Sequence, residues 1–246
     1  MKNPKTILII IQRSNGDVFL SNSLINELYK HYQSPQIDLL VNDDTYPLAK
    51  LLTNINSIHQ FSYKKKRNNR WKQEKKIFTS IFKRYDLSIN LTASDRSVIY
   101  ALLAGKKTIS AVESENKKSW WKKILLTYHY FFDSEKHILL NNLEPLNCLK
   151  INHSNTQKSV FLSNKIIDNV KKKLNKKGIK DFVIFHPSAQ YNYKIYPQHL
   201  RHELLARLSD LDIGVVITGS NNQIDTAIKN QLPALSNVFD LIGETT

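Results

Sequence analysis

Five short apolar runs punctuate the first half of the chain: Thr6–Ile11, Ile37–Val41, Ile58–Phe61, Leu87–Leu91 and Thr108–Val112. The first is apolar nearly throughout, as expected of a strand covered on both faces in a parallel sheet. Between the first two runs, Val18, Ser21, Leu24, Ile25, Leu28 and Tyr32 recur at helical spacing, and Asp17 stands where an N-cap belongs. Arg96–Leu103 and Trp120–Phe132 carry similar stripes and predict helices after the fourth and fifth strands. Strands alternating with helices in this rhythm make βαβ units and a doubly wound α/β domain.

The character changes around residues 150–180. Asn152–Lys158 is polar, and the lysine-rich stretch Lys171–Lys177 ends at Gly178, a helix stop and a domain joint. The alternation then restarts with a strand at Phe182–Phe185, a helix at Pro197–Leu208 and a strand at Ile213–Thr218. A short helix at Asn222–Asn230 and a third strand within Val238–Ile242 complete it. The expected division is an N-terminal Rossmann-like domain over 1–160, a linking segment with a helix over 161–180, and a C-terminal domain over 181–246. Three strands bury little surface, so the second domain is expected to be incomplete at its C-terminal side.

Composition narrows the picture. The 246 residues are 41% hydrophobic, 10% aromatic and 23% charged, an ordinary globular balance. Lys plus Arg number 36 against 21 Asp plus Glu, a formal +15 that favours polyanionic partners. A single cysteine, Cys148, excludes an intrachain disulfide and a cysteine-based zinc site. The longest clean apolar run, Ile7–Ile11, is too short to span a bilayer, and it leads into Gln12-Arg13-Ser14 rather than a cleavage site. A soluble, cytoplasmic protein is expected.

Three turns carry candidate chemistry. Arg13-Ser14-Asn15-Gly16-Asp17 follows the first strand, where open α/β sheets bind ligands. Gly16 permits a tight turn or a close backbone approach, and Asp17 can act as general base toward a hydroxyl or simply cap the helix. His186-Pro187-Ser188-Ala189 leaves backbone N–H groups open to phosphate, with Lys194-Ile195-Tyr196-Pro197 a few residues on. Lys194 either neutralises a diphosphate or is one more surface lysine. Thr218-Gly219-Ser220 forms a third turn at a strand's carboxyl end. Asp210-Leu211-Asp212 precedes a strand and is assigned to solvated surface. Basic clusters occur at Lys64-Lys65-Lys66-Arg67 with Arg70, Trp71 and Lys72, at Lys117-Lys118 with Trp120, Trp121, Lys122 and Lys123, and at Lys171–Lys173. Tryptophan among cations suits both membrane interfaces and base stacking. His129, His137 and His202 lack metal-ligand spacing and are expected to be structural.

Taken together these residues resemble glycosyltransferase family 9, the lipopolysaccharide heptosyltransferases. The first loop resembles the family's Arg-x-Ser-x-x-Gly-Asp segment with one residue fewer. Tyr85–Leu91 followed by Leu103-Ala104-Gly105, and His137–Leu149 with Asn142-Leu143, resemble its N-terminal half. His186–Ser188, Lys194–Pro197, Val215–Gly219 and Asn237–Thr246 resemble its donor side, with Tyr196 where Trp is common and Asn222-Gln223 near a position that is often acidic. The chain stops before the family's last donor-binding loop. The resemblance implies a two-domain GT-B fold and inverting transfer from a nucleotide sugar, ADP-heptose, to the phosphorylated inner core of lipid A. It implies Asp17 as base; Ser188, Ala189, Lys194, Gly219, Ser220 and Thr245 on the donor; and Arg13, Ser14, Gly16, Lys64, Arg67 and Lys122 on the acceptor. No metal, cofactor or nucleic acid is expected. The protein would be a monomer held electrostatically on the cytoplasmic face of a Gram-negative inner membrane. An inactive truncated paralogue and a basic nucleic-acid-binding α/β protein are the alternatives.

Overall fold

A computed structural model describes residues 3–64, 69–113, 119–152, 162–189, 192–211 and 213–244. The chain divides into two compact units, residues 1–162 and 163–246.

In the first unit, β1 (Thr6–Ile11), α1 (Asn15–Leu20), α2 (Asn22–His31), β2 (Gln36–Asn42), α3 (Tyr46–Ala49) and β3 (Ser57–Phe61) come first. Then follow α4 (Arg70–Ile81), β4 (Tyr85–Asn90), α5 (Asp95–Ala104), β5 (Gly105–Val112), α6 (Trp120–Leu125), β6 (Tyr128–Phe131) and α7 (Ile138–Leu149). The six strands are parallel in the order β3-β2-β1-β4-β5-β6. The order therefore reverses at β1 and β4, where Ile9 stands between Leu39 and Ile89. Strand alternation sends Ile7, Ile9 and Ile11 to one face, with Leu24, Leu28 and Leu146, and Leu8 and Ile10 to the other, with Leu40, Ile77 and Ile81. Each of these isoleucines is fully buried, a contribution on the order of 2 kcal/mol apiece.

Two expectations are corrected. The first helical stripe is two helices rather than one, broken at Ser21, whose hydroxyl donates to the Val18 carbonyl at 2.7 Å. The stripe Trp120–Phe132 is a short helix and a sixth strand, β6, paired with β5. Its sequence, Tyr-His-Tyr-Phe, favours strand, and pairing with β5 takes it there despite the helical spacing of its apolar residues.

In the second unit α8 (Asn164–Lys176) ends ahead of Gly178, whose φ of +71° reverses the chain. β7 (Phe182–Phe185), a 3₁₀ turn (Asn192–Lys194), α9 (Gln198–Ser209), β8 (Gly214–Ile217), α10 (Gln223–Lys229) and β9 (Val238–Asp240) complete it. The strands are parallel in the order β7-β8-β9. Leu205, Val215, Ile217, Ile228 and Ile242 form the core on one face, and Leu174 of α8 joins Ile179, Val216 and Leu241 on the other. Among the described residues no helix is long and apolar enough to cross a membrane.

Candidate functional site

In the first unit the loop after β1 opens at the reversal of strand order. The Gln12 N–H donates to Thr92 Oγ1 at 2.9 Å, tying the carboxyl ends of β1 and β4 together. Ser14, not Asp17, is the N-cap of α1; Asp17 is the third helical residue and closes a capping box with it. Asp17 Oδ2 accepts from Ser14 N at 3.3 Å, Ser14 Oγ at 3.1 Å and Arg13 Nε at 3.1 Å. All three donors converge on one oxygen, and Oδ1 has no partner among the described residues. The Arg13 guanidinium is stacked over the Phe132 ring at 4.5 Å, which fixes its approach to Asp17. Asn142 Nδ2 of α7 donates to the Asp17 carbonyl at 3.3 Å. Gly16 lies in ordinary helical backbone, and a Cβ there would meet nothing within 4 Å, so its contribution is open space beside Asp17 rather than a turn. Gln12 and Asn42, buried at the ends of β1 and β2, leave the Gln12 amide and Asn42 Oδ1 without hydrogen-bond partners among the described residues. Such groups take water or ligand hydroxyls.

The second unit brings together two of its turns through a residue that sequence reading missed. Asp225, in the first turn of α10, is 3% exposed. Its Oδ2 accepts from Ser220 N at 3.0 Å, Ser220 Oγ at 2.7 Å and Asn222 Nδ2 at 2.7 Å. Burial pushes this carboxyl up, but the hydroxyls of Ser188 and Ser220, the Ser220 amide and the His186 imidazole outweigh it and hold the group below the usual carboxylate range. Gly219 is required by the same carboxylate, since a Cβ would stand 2.9 Å from Asp225 Oδ1. On the β7 side, His186 Nδ1 lies 3.1 Å from Thr218 Oγ1 and His186 Nε2 lies 3.3 Å from Ser188 Oγ. The signal for Asp225 was present as Asn222-x-x-Asp225, a cap followed by an acid at the third helical position.

Ser188 and Ala189 are half-buried, while Ser220 and Lys194 are exposed, with Lys194 at the end of the 3₁₀ turn and its Nζ 5.7 Å from the Tyr193 ring centre. Tyr196 stands edge-on to Phe185, and its carbonyl accepts from the buried Arg201 at 2.7 Å. Thr245, Arg67, Lys65, Lys66, Lys117, Lys118, Asp212 and most of the polar stretch Asn152–Lys158 lie outside the described residues. Lys64 is exposed. Lys122 corrects its expected place on an open basic face: it is 1% exposed, with Nζ 2.7 Å from Asp95 Oδ1 and 2.8 Å from the Ala93 carbonyl. It braces α6 against the loop after β4. Trp121 packs on Val98, Val112 and Leu126, whereas Trp71 and Trp120 face solvent. On α8, Lys173 pairs with Glu244 at 3.0 Å. The histidines act structurally: His137 caps α7, His202 bonds the Gln231 carbonyl and His129 meets the Phe131 ring. Asp210 is exposed at the end of α9. Among the described residues no three His, Cys, Asp or Glu converge as metal ligands.

Two successive parallel α/β units, each with its candidate residues at the carboxyl ends of strands, define a GT-B type architecture. The sequence pattern of glycosyltransferase family 9 (heptosyltransferase) matches residues 75–246, and the chain belongs to that family. It is similar to lipopolysaccharide heptosyltransferase 3 of Escherichia coli K12, with 25% identity over 228 residues that cover 89% of this chain. The chain spans 64% of that relative's length. A family 9 glycosyltransferase from Veillonella parvula superposes with a TM-score of 0.81 at 16% identity, over 98% of this chain and 70% of that one. The E. coli heptosyltransferase WaaC, solved with ADP-2-deoxy-2-fluoro heptose, gives 0.73 at 14% identity, over 96% of this chain and 76% of that one. At these identities the structures speak for the fold.

Proposed function

We propose that this chain carries acceptor-side and donor-side residues of an inverting heptosyltransferase using ADP-heptose. The acceptor is the phosphorylated inner core of a lipid A-linked oligosaccharide. Family membership supports the reaction class, and the ligand held by the E. coli neighbour supports the donor. Residues 1–160 serve the acceptor, residues 181–246 serve the nucleotide sugar, and 161–180 join them.

The observation that carries this reading is Asp17 at the reversal of strand order with one carboxylate oxygen unengaged. Arg13 and Ser14 hold Oδ2 and so fix the carboxylate plane, leaving Oδ1 to take the acceptor hydroxyl proton. As that proton leaves, the hydroxyl oxygen bonds to the anomeric carbon and the bond from that carbon to the diphosphate oxygen breaks in line, inverting the centre. The charge that collects on the departing ADP is met by Lys194 and the backbone around Ser188 and Ala189, with Gly219, Ser220 and Thr245 completing the donor contacts. This scheme assigns no step to a metal. Gly16 leaves room for the acceptor sugar, and Lys64 and Arg67 meet its phosphates. The enzyme acts as a monomer on the cytoplasmic face of a Gram-negative inner membrane.

The test is Asp17→Asn, which keeps an oxygen for the capping box. Transfer should fall by roughly 10²–10⁴-fold, with ADP affinity and thermal stability retained. Near-normal turnover would return Asp17 to the role of helix cap alone.

A further inference from the structure

α4 carries a buried stripe and, about 100° round the helix from it, an exposed aromatic one. Ile77 and Ile81 enter the core beside Leu8, Ile10 and Leu40. Outward, Trp71 is 84% exposed, Phe78 37% and Phe82, at the C-cap, 39%. At 3.6 residues per turn, positions 71, 78 and 82 fall within about 40° of one another and form a stripe about 16 Å long. The ring centres of Phe78 and Phe82 lie 4.7 Å apart, and Lys83 Nζ lies 5.3 Å from the Phe82 centre.

Charge accompanies the stripe. Residues 69–84 hold six cations, Arg70, Lys72, Lys75, Lys76, Lys83 and Arg84, against one acid, Glu74. The Glu74 carboxylate is engaged by the Tyr100 hydroxyl. Lys72, Lys75 and Lys76 are all exposed, Lys75 about 40° from the aromatic stripe and Lys72 and Lys76 farther round the same exposed arc, where they line a cavity with His59 and Gln60 of β3. Single exposed apolar residues need no explanation. Three aromatics in line among cations, on a helix anchored by two isoleucines, have the make-up of a helix lying in a membrane interface.

We propose that the outward face of α4 docks on an anionic lipid bilayer. Trp71, Phe78 and Phe82 enter the boundary between headgroups and acyl chains, while Arg70, Lys72, Lys75 and Lys76 stay at the level of the lipid phosphates. The proposal rests on the reading of the acceptor as lipid-linked, and it adds an apolar anchor to what basic loops alone would supply. A nucleic acid would meet the same cations, but Phe78 and Phe82 pack against each other, which leaves Trp71 as the one open ring of α4 on which a base could stack.

The test is co-sedimentation of the full chain with vesicles of phosphatidylcholine alone or with added phosphatidylglycerol. Binding should require phosphatidylglycerol. Lys72→Gln with Lys75→Gln and Lys76→Gln should weaken it on the order of 10²-fold at low salt, at about 1 kcal/mol for each cation. Trp71→Ala with Phe78→Ser should weaken it about tenfold, and tryptophan emission should shift blue on these vesicles unless Trp71 is changed to Phe. Lys171→Gln with Lys172→Gln and Lys176→Gln removes equal charge from exposed positions on α8 and should leave binding intact. Equal loss in this control, or undiminished binding by folded α4 variants, overturns the proposal. So does oligonucleotide that displaces the protein from vesicles at equal ionic strength. ADP affinity, measured on the same variants, separates the two readings. Failed vesicle binding with ADP bound leaves the transferase standing, and vesicle binding that follows α4 without ADP binding does the reverse.

Discussion

At Asp225 a buried carboxylate stays charged through hydroxyl and amide donors, with no Lys or Arg paired to it among the described residues. Its native pKa lies below the value of about 3.9 expected for an unfolded Asp. In the window beneath that value the unfolded chain binds more protons than the folded one. The stabilisation is therefore complete above about pH 4 and is lost as pH falls through the native pKa. Asp225→Asn should cost about 1–3 kcal/mol near neutrality, since it replaces an acceptor by an amide among donors. Thermal unfolding from pH 6 to pH 3 should show wild type and variant converging at the acid end. A constant gap across that range would contradict the assignment. Lys122 teaches a related lesson: within a basic cluster, nothing in the sequence marks a lysine whose ammonium is held by Asp95 and the Ala93 carbonyl.

At the level of elements, α4 separates what holds the fold from what faces outward. Ile77→Ala should destabilise the protein by about 2–5 kcal/mol through a cavity beside Leu8 and Leu40. Trp71→Ala, on the exposed arc of the same helix, should change stability by less than about 0.5 kcal/mol. Chemical denaturation of the two variants checks the contrast. Elements of this kind were legible in the sequence where burial wrote the pattern: β1 reads as apolar because both its faces are covered, and α10 reads from its cap. β6 was lost because Tyr128–Phe131 follows the helical stripe of α6 without a Gly or Pro between them. The turn at Asp17 was found by its place after the first strand, while the cap itself belongs to Ser14. Asp225 was passed over because its partners come from two turns that only the fold brings together.

For the molecule as a whole, the surplus of 36 cations over 21 acids implies self-repulsion in the compact state. Thermal stability should rise as salt is increased from about 20 to 200 mM, over which the Debye length contracts from roughly 20 Å to under 10 Å. A melting temperature that falls with salt would mean that favourable ion pairs outweigh the repulsion. The strand order has a further consequence, in time rather than in space. β1 pairs with β2 through Ile7 and Ile37, but its other neighbour is β4, where Ile7 meets Leu87. On the ribosome, at about 5–20 residues per second, Thr6–Ile11 therefore waits on the order of ten seconds with one edge unpaired. During that interval a strand whose isoleucines are destined for complete burial is open to other chains. Slowed synthesis between β2 and β4 should lengthen that interval and increase aggregation, which pausing at codons 45–80 followed by sedimentation of the product would measure.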